Sequence, residues 1–310
     1  MNSDPRFGRP PSRLVVWIRA LRAPFLTASA IPVLVGAAAA FRMTGSFSLS
    51  RLLLSLGGVV CLHLGANIAN DYFDFVTGCD QINPEPTPFS GGSRLIQAGL
   101  ITSRATLAAS FTFLGLGALQ GLWLNRLVPG NSVILLGLAG LGGGLLYSAV
   151  PVKLSYRGLG EIVIFLLFGP LVVAGSYLCQ TGRLEVFPFV VSVPCGLLVL
   201  AILLVNEVLD VKWDGLAGKR TLVVRLGERR GYSLFLICYF GAYAWLLAGT
   251  VAGIYNPLAA LGLLPAFIAA KDLRPSRALA DRARTVGASA RTVVSHTATG
   301  IVIAASYLVR

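Results

Sequence analysis

The stretch NIANDYFDFVTGCD, residues 67–80, ends a run that otherwise reads as apolar helix, yet it holds three aspartates and two asparagines. A carboxylate at membrane depth is costly and marks a functional group. What it means depends on whether the run before it spans a bilayer.

Composition says that it does. Of 310 residues, 55% are hydrophobic and only 13% charged, where a soluble domain would carry about a quarter charged. The mean hydropathy is +0.75. Apolar runs near the bilayer-spanning length of about 20 residues recur along the chain. They predict nine spans, at 22–41, 52–75, 105–124, 131–148, 159–179, 187–210, 232–250, 254–270 and 290–309. The expected fold is all-α, a single polytopic transmembrane domain over 1–310 with about nine helices in one bundle. Residues 1–20 form a polar, basic segment without a small-residue cleavage site before the first span, so the first helix is expected to be retained.

The net charge of +13 raises the question of nucleic acid, but its distribution argues for topology. With nine spans, 21 of the 26 Lys and Arg fall on the side of the N-terminus and only Arg42, Arg51, Arg126, Arg183 and Arg310 on the other. That asymmetry is the positive-inside pattern and puts the N-terminus in the cytoplasm. No nucleic-acid partner is expected. The five cysteines show no paired spacing, which argues against a disulfide framework or a thiolate metal site. His63, one turn before Asn67, reads as a packed, hydrogen-bonded histidine in preference to a polar site group.

A second cluster lies in NEVLDVKWDGLAGKRTLVVRLG, with Asn206, Glu207, Asp210 and Asp214. At about 100° per residue, Asn67, Asn70, Asp71 and Asp74 share one helical face, and so do the four residues of the second cluster. The clusters end the second and sixth spans, so both open to the cytoplasmic side. Asn67 and Asn206 each stand four residues before an aspartate, which hints at two pseudo-repeated half-bundles. Carboxylates converging from two helix ends repel one another unless cations neutralise them. Hard oxygen ligands suit Mg²⁺, which completes its shell with water and phosphate. Arg94 after a glycine pair, Lys153, Arg157, Lys219 and Arg220 lie in loops of the same face and can hold phosphate oxygens. The plainer reading, solvated loop anchors, suits Arg225, Arg229, Arg230 and the basic run 271–291, but not two one-sided Asn/Asp faces. Tyr147 and Tyr156 read equally as site residues or as interfacial aromatics; Trp17, Trp123 and Trp245 read as the latter.

The pair NDYFDFVTGCD and NEVLDVKWDGLAGKRTL, with YSAVPVKLSYRGLGE between them, resembles the UbiA family of intramembrane aromatic prenyltransferases over almost the whole chain. The resemblance implies two Mg²⁺ ions and a polyprenyl diphosphate donor. It implies metal sites at Asp71, Asp74, Asp210 and Asp214, with Asp80 in question. Asn67, Arg94, Lys153, Asn206, Lys219 and Arg220 would hold the diphosphate, and Asp71, Asp210, Lys153 and Tyr147 are the candidate catalytic residues. Many members place a third acid where this chain has Gly78; Asp80 is the nearest substitute. The Gly78, Asp80 spacing and the GGSRLIQAGLIT and GKRTLVVRLG segments resemble the 1,4-dihydroxy-2-naphthoate polyprenyltransferase branch of menaquinone biosynthesis. That implies alkylation of dihydroxynaphthoate in a bacterial inner membrane, with release of diphosphate and CO₂. Transfer to 4-hydroxybenzoate, a chlorin or haem is the alternative within the family. A cation-coupled transporter or a non-catalytic membrane scaffold is the alternative outside it. Oligomeric state has no signal in the sequence.

Overall fold

A computed structural model describes residues 12–89 and 92–309. Residues 1–11 of the basic segment, Ser90, Gly91 and Arg310 lie outside it. Among the described residues the secondary structure is entirely helical. The order is α1 (Arg13–Ala20), α2 (Thr27–Thr44), α3 (Leu49–Thr77) and, after a single turn at Cys79–Ile82, α4 (Ser103–Leu127). There follow α5 (Ser132–Ser148), α6 (Gly160–Thr181), α7 (Phe187–Leu216), α8 (Glu228–Val251), α9 (Pro257–Ala270) and α10 (Arg282–Leu308).

Each of the nine predicted apolar runs falls on helix. The count of nine crossings is not reached by length and apolar character, which six stretches among the described residues satisfy. Helices α5 and α9 are shorter, and α10 opens with Arg282, Arg284 and Arg291. Residues 13–20 of the basic N-terminal segment form the short helix α1. Ser12 caps α1, and Val16 and Ala20 pack on Leu95 and Ile101, pinning the loop after α3.

Local chemistry sets the ends of these helices. The hydroxyls of Ser48 and Thr102 accept backbone N–H groups at the starts of α3 and α4, and Asp281 does the same for α10. Gly78 ends α3 in the left-handed conformation, φ 78°, which a side chain would disfavour. Pro170, lacking an N–H, sits in a π turn at Leu167–Leu171 within α6. The bundle is tight where small residues face backbone: a Cβ at Gly36 of α2 would stand 2.3 Å from the Val173 carbonyl of α6. Tyr232, Phe235, Tyr239 and Tyr243 of α8 are buried against α7, so that half is packed solid. Space is left instead among α3, α4, α5, α6 and α7.

Candidate active site

That space is a cavity of about 570 Å³, within the range of ligand sites, roughly 300–1,000 Å³. Its polar mouth lies where α3 and α7 end and the 83–102 loop crosses them. Asn67, Asn70, Asp74 and Asp80 line it from the first cluster. Asn206, Glu207, Asp210 and Asp214 line it from the second, and Arg22, Asn83, Tyr147 and Lys219 stand between. Below the mouth the walls are apolar, including Leu62, Leu122, Leu141, Phe168 and Leu203. The lining runs along α3 from Asp74 back to Ser55, roughly 28 Å of helix rise.

On the first face, Asp74 accepts from the Asn70 amide at 3.1 Å and the Tyr156 hydroxyl at 3.2 Å. Asn70 also donates to Ser148 Oγ at 2.7 Å. Asp71, although buried, turns away from the cavity. It accepts from Arg22 Nη2 at 2.8 Å and from the Ser93 N–H at 3.2 Å. The Asn67 Nδ2 is buried without a partner and lies on the cavity wall, a donor available to an acceptor oxygen of a ligand.

The second face is built alike. Asp210 accepts from Asn83 Nδ2 at 3.0 Å, and Asn206 Oδ1 accepts from the Ser289 hydroxyl at 2.6 Å. Lys219 Nζ stands 3.6 Å from Asp214 Oδ1 and 5.7 Å from the centre of the Tyr156 ring. Burial pulls the Lys219 ammonium down, but Asp214 and Asp74 outweigh it and hold it well above its ordinary value, so it stays charged. Lys219 therefore joins the two clusters electrostatically.

Asp80 follows the Gly78 turn and accepts from Gln97 Nε2 at 3.3 Å. Its backing is Gly92, where a Cβ would stand 2.2 Å from Asp80 Oδ2. Burial first, then the charges of Asp74 and Asp71, push the Asp80 carboxyl up to about 7. Burial likewise pushes the Cys79 thiol up to about 12, which keeps it neutral, and raises the Tyr156 phenol so that it remains a donor.

Among the described residues no three His, Cys, Asp or Glu side chains converge on one point. Each aspartate is held by a separate donor: Asp71 by Arg22, Asp80 by Gln97, Asp210 by Asn83. The donor chemistry nevertheless fits Mg²⁺. Carboxylate and carboxamide oxygens gather around one mouth, and the charges of Asp74 and Asp71, which add to burial in raising Asp80, are ones a dication would neutralise.

Three predicted diphosphate anchors stand outside the cavity wall. Arg94 donates to the Asn83 carbonyl. Lys153 lies 4.4 Å over the Tyr156 ring, and Arg220 is exposed, its N–H bonded to the Tyr156 carbonyl. Tyr147 lines the cavity, and Tyr156 reaches Asp74, which gives both a place at the mouth. His63 bonds Ser29 Oγ at 2.5 Å and packs edge-on to Phe168, also on the wall. Sequence reading missed Arg22 and Asn83. Arg22 counted there only toward topology, although its position at the start of the first predicted span, on the side to which both clusters were expected to open, put it beside the first cluster.

Comparison with known proteins agrees with this arrangement. The UbiA prenyltransferase family matches residues 29–290. A 1,4-dihydroxy-2-naphthoate octaprenyltransferase of Mycobacterium tuberculosis is 32% identical over 263 residues, 84% of this chain and 86% of that protein. A UbiA homolog from Aeropyrum pernix superposes with TM-score 0.69 at 19% identity, covering 91% of this chain and 97% of that one. A UbiA homolog from Archaeoglobus fulgidus, solved with GPP and Mg²⁺, gives TM-score 0.63 at 17% identity, covering 94% and 99%. An all-helical bundle with an acid-lined mouth over an apolar cavity, matched across most of its length, places this chain in the UbiA prenyltransferase family.

Proposed function

We propose that the protein transfers a polyprenyl group from polyprenyl diphosphate to 1,4-dihydroxy-2-naphthoate, in menaquinone biosynthesis, at the cytoplasmic face of the membrane. The observation that carries this reading is the joining of two aspartate faces by Lys219 above an apolar cavity. An amphiphile with a diphosphate head and an isoprenoid tail matches both parts. The naphthoate acceptor rests on the M. tuberculosis relative's name. Dependence on Mg²⁺ rests on the carboxylate-rich mouth and on the ion in the A. fulgidus homolog.

In this reading Asp74, Asp80, Asp210 and Asp214 would hold two Mg²⁺ ions, which would supply Lewis-acid neutralisation of the leaving diphosphate, while Asp71, turned from the cavity, positions Arg22 at its wall. Lys219 and the Asn67 amide bind diphosphate oxygens as the allylic C–O bond breaks. Tyr156 and Asn70 orient Asp74 through hydrogen bonds. The apolar walls below exclude water, so the allylic cation survives until the ring carbon attacks it. Bond formation at the carboxylate-bearing carbon is balanced by loss of its carboxyl group as CO₂. Tyr147, on the wall at the mouth, is placed to contact the acceptor.

The test is a purified-enzyme assay with one polyprenyl diphosphate against a panel of aromatic acceptors, read by mass spectrometry. Dihydroxynaphthoate should give the prenylated product minus CO₂. Asp71→Ala and Asp210→Ala should each lower the rate at least about a hundredfold while the protein inserts normally. Full activity in either variant overturns the site; product with 4-hydroxybenzoate alone overturns the acceptor.

A further inference from the structure

A basic cleft lies away from the cavity, between the turn at Pro275–Ala278 and the start of α10. Arg277, Arg284 and Arg291 line it together with Asp272, Ala283 and Gly287. Arg284, Gly287 and Arg291 are spaced by three and four residues and so share one helical face. Gly287 lets the Arg291 guanidinium lie close over the helix: a Cβ there would stand 3.0 Å from Arg291 Nη1. Asp272 offsets part of the charge, its Oδ2 being 3.3 Å from Arg291 Nη2. Two further arginines remain, both exposed.

What lies next to the arginines identifies the ligand class. The same face of α10 continues one turn on as Val294 and then Ile301 and Leu308, all exposed. Helix α9 ends beside the cleft with Phe267 and Ile268, 75% and 78% exposed. Large apolar side chains this bare, on helices of a membrane bundle, face acyl chains. One stripe thus passes from guanidinium groups to lipid-facing hydrocarbon within a single turn. A soluble anion would use only the first half of it. A lipid with an anionic headgroup uses both.

We propose that this cleft binds the phosphate headgroup of an anionic phospholipid, whose acyl chains run down α10 past Val294 and against Phe267 and Ile268. Basic pockets at the cytoplasmic interface take such headgroups, and each Lys or Arg near an anionic surface changes occupancy roughly fivefold. The site is independent of the prenyl-transfer reading, because none of its residues lines the cavity.

The experiment is native mass spectrometry of the full-length protein. It is released from nanodiscs that contain phosphatidylglycerol and phosphatidylcholine of identical acyl chains. The parent protein should retain phosphatidylglycerol preferentially. The triple variant Arg277→Gln, Arg284→Gln, Arg291→Gln should lose at least about tenfold of that preference, with prenyl transfer in detergent unchanged. A control that removes the same charge elsewhere, Arg104→Gln, Arg229→Gln, Arg230→Gln, should stay within about twofold of the parent. Single Arg284→Gln and Arg291→Gln variants, each expected to lose about fivefold, carry the test if the triple variant fails to insert. An unchanged preference in the cleft variants, or an equal loss in the control, overturns the proposal. Displacement of the bound lipid by millimolar inorganic phosphate assigns the cleft to a soluble anion and overturns it as well.

Discussion

Replacing Gly92 with alanine tests whether Asp80 works with the other aspartates. Gly92 has φ +70°, and a Cβ built there stands 2.2 Å from Asp80 Oδ2 and 2.7 Å from its Cγ and Oδ1. Comfortable contact between heavy atoms begins near 3.5 Å, so the carboxylate must retreat by roughly 1 Å. The left-handed backbone adds about 1–2 kcal/mol for a residue with a side chain. A displacement of about 1 Å at a reacting centre can lower a rate about a hundredfold. Gly92→Ala is therefore expected to slow prenyl transfer by about that factor, with a stability loss of only about 1–2 kcal/mol. Initial rates in nanodiscs and thermal unfolding of the same samples separate the two effects. The double variant completes the argument: with Asp80→Ala already in place the clash has nothing to strike, so adding Gly92→Ala should slow the enzyme no further. A Gly92→Ala enzyme within twofold of the parent would refute the reasoning. So would losses that multiply in the double variant.

Two other perturbations read the same mouth. Arg22→Gln leaves Asp71 buried opposite a neutral group, and the lost 2.8 Å pair should destabilise the protein by about 2 kcal/mol, discounted for the one-fifth exposure of the Arg22 side chain. Thermal unfolding checks it, and an unchanged midpoint would show that Asp71 is held by other means. Chelation by EDTA should stop turnover and added Mg²⁺ restore it, with a pH signature from Asp80. Its carboxyl is raised from an ordinary 3.8 to about 7 in the folded protein. The folded state thus binds the extra proton, and stability from this group is present below about pH 4 and lost as pH rises toward 7. A dication favours the ionised form, so the thermal shift produced by Mg²⁺ should grow between pH 6 and pH 8. That growth should flatten in Asp80→Asn; a shift independent of pH in the parent would remove Asp80 from the site.

Much of this was legible in the sequence because it is local. An apolar run of near-spanning length is a pattern within about 20 residues, and each of the nine predicted runs falls on helix. The spacing that puts Asn67, Asn70, Asp71 and Asp74 on one face is likewise a matter of about two turns. The number of crossings was less legible, because α5 and α9 are short and α10 carries three arginines in its first three turns. The contacts that close the mouth were not legible at all. Arg22 reaches Asp71 across 49 positions and Asn83 reaches Asp210 across 127, and no helical period encodes either separation.

The helical wheel itself shows where period-based reading stops. At about 100° per residue, Asn70, Asp74 and Asn67 fill a sector of about 60°, and Asp71 lies about 40° beyond it. The three within the sector line the cavity; Asp71 meets Arg22 and the Ser93 N–H instead. A face about 100° wide is broad enough to touch two surroundings at once, a cavity on one edge and a folded loop on the other. The sequence pattern finds the face, but what each edge meets depends on the 83–102 loop. That loop is held by α1 through Leu95 and Ile101, by Arg94 on the Asn83 carbonyl, and by Arg282 on the Glu85 carbonyl. The aspartates of α3 consequently divide their tasks: Asp74 presents its charge to the cavity, and Asp71 ties Arg22 to the loop that roofs it.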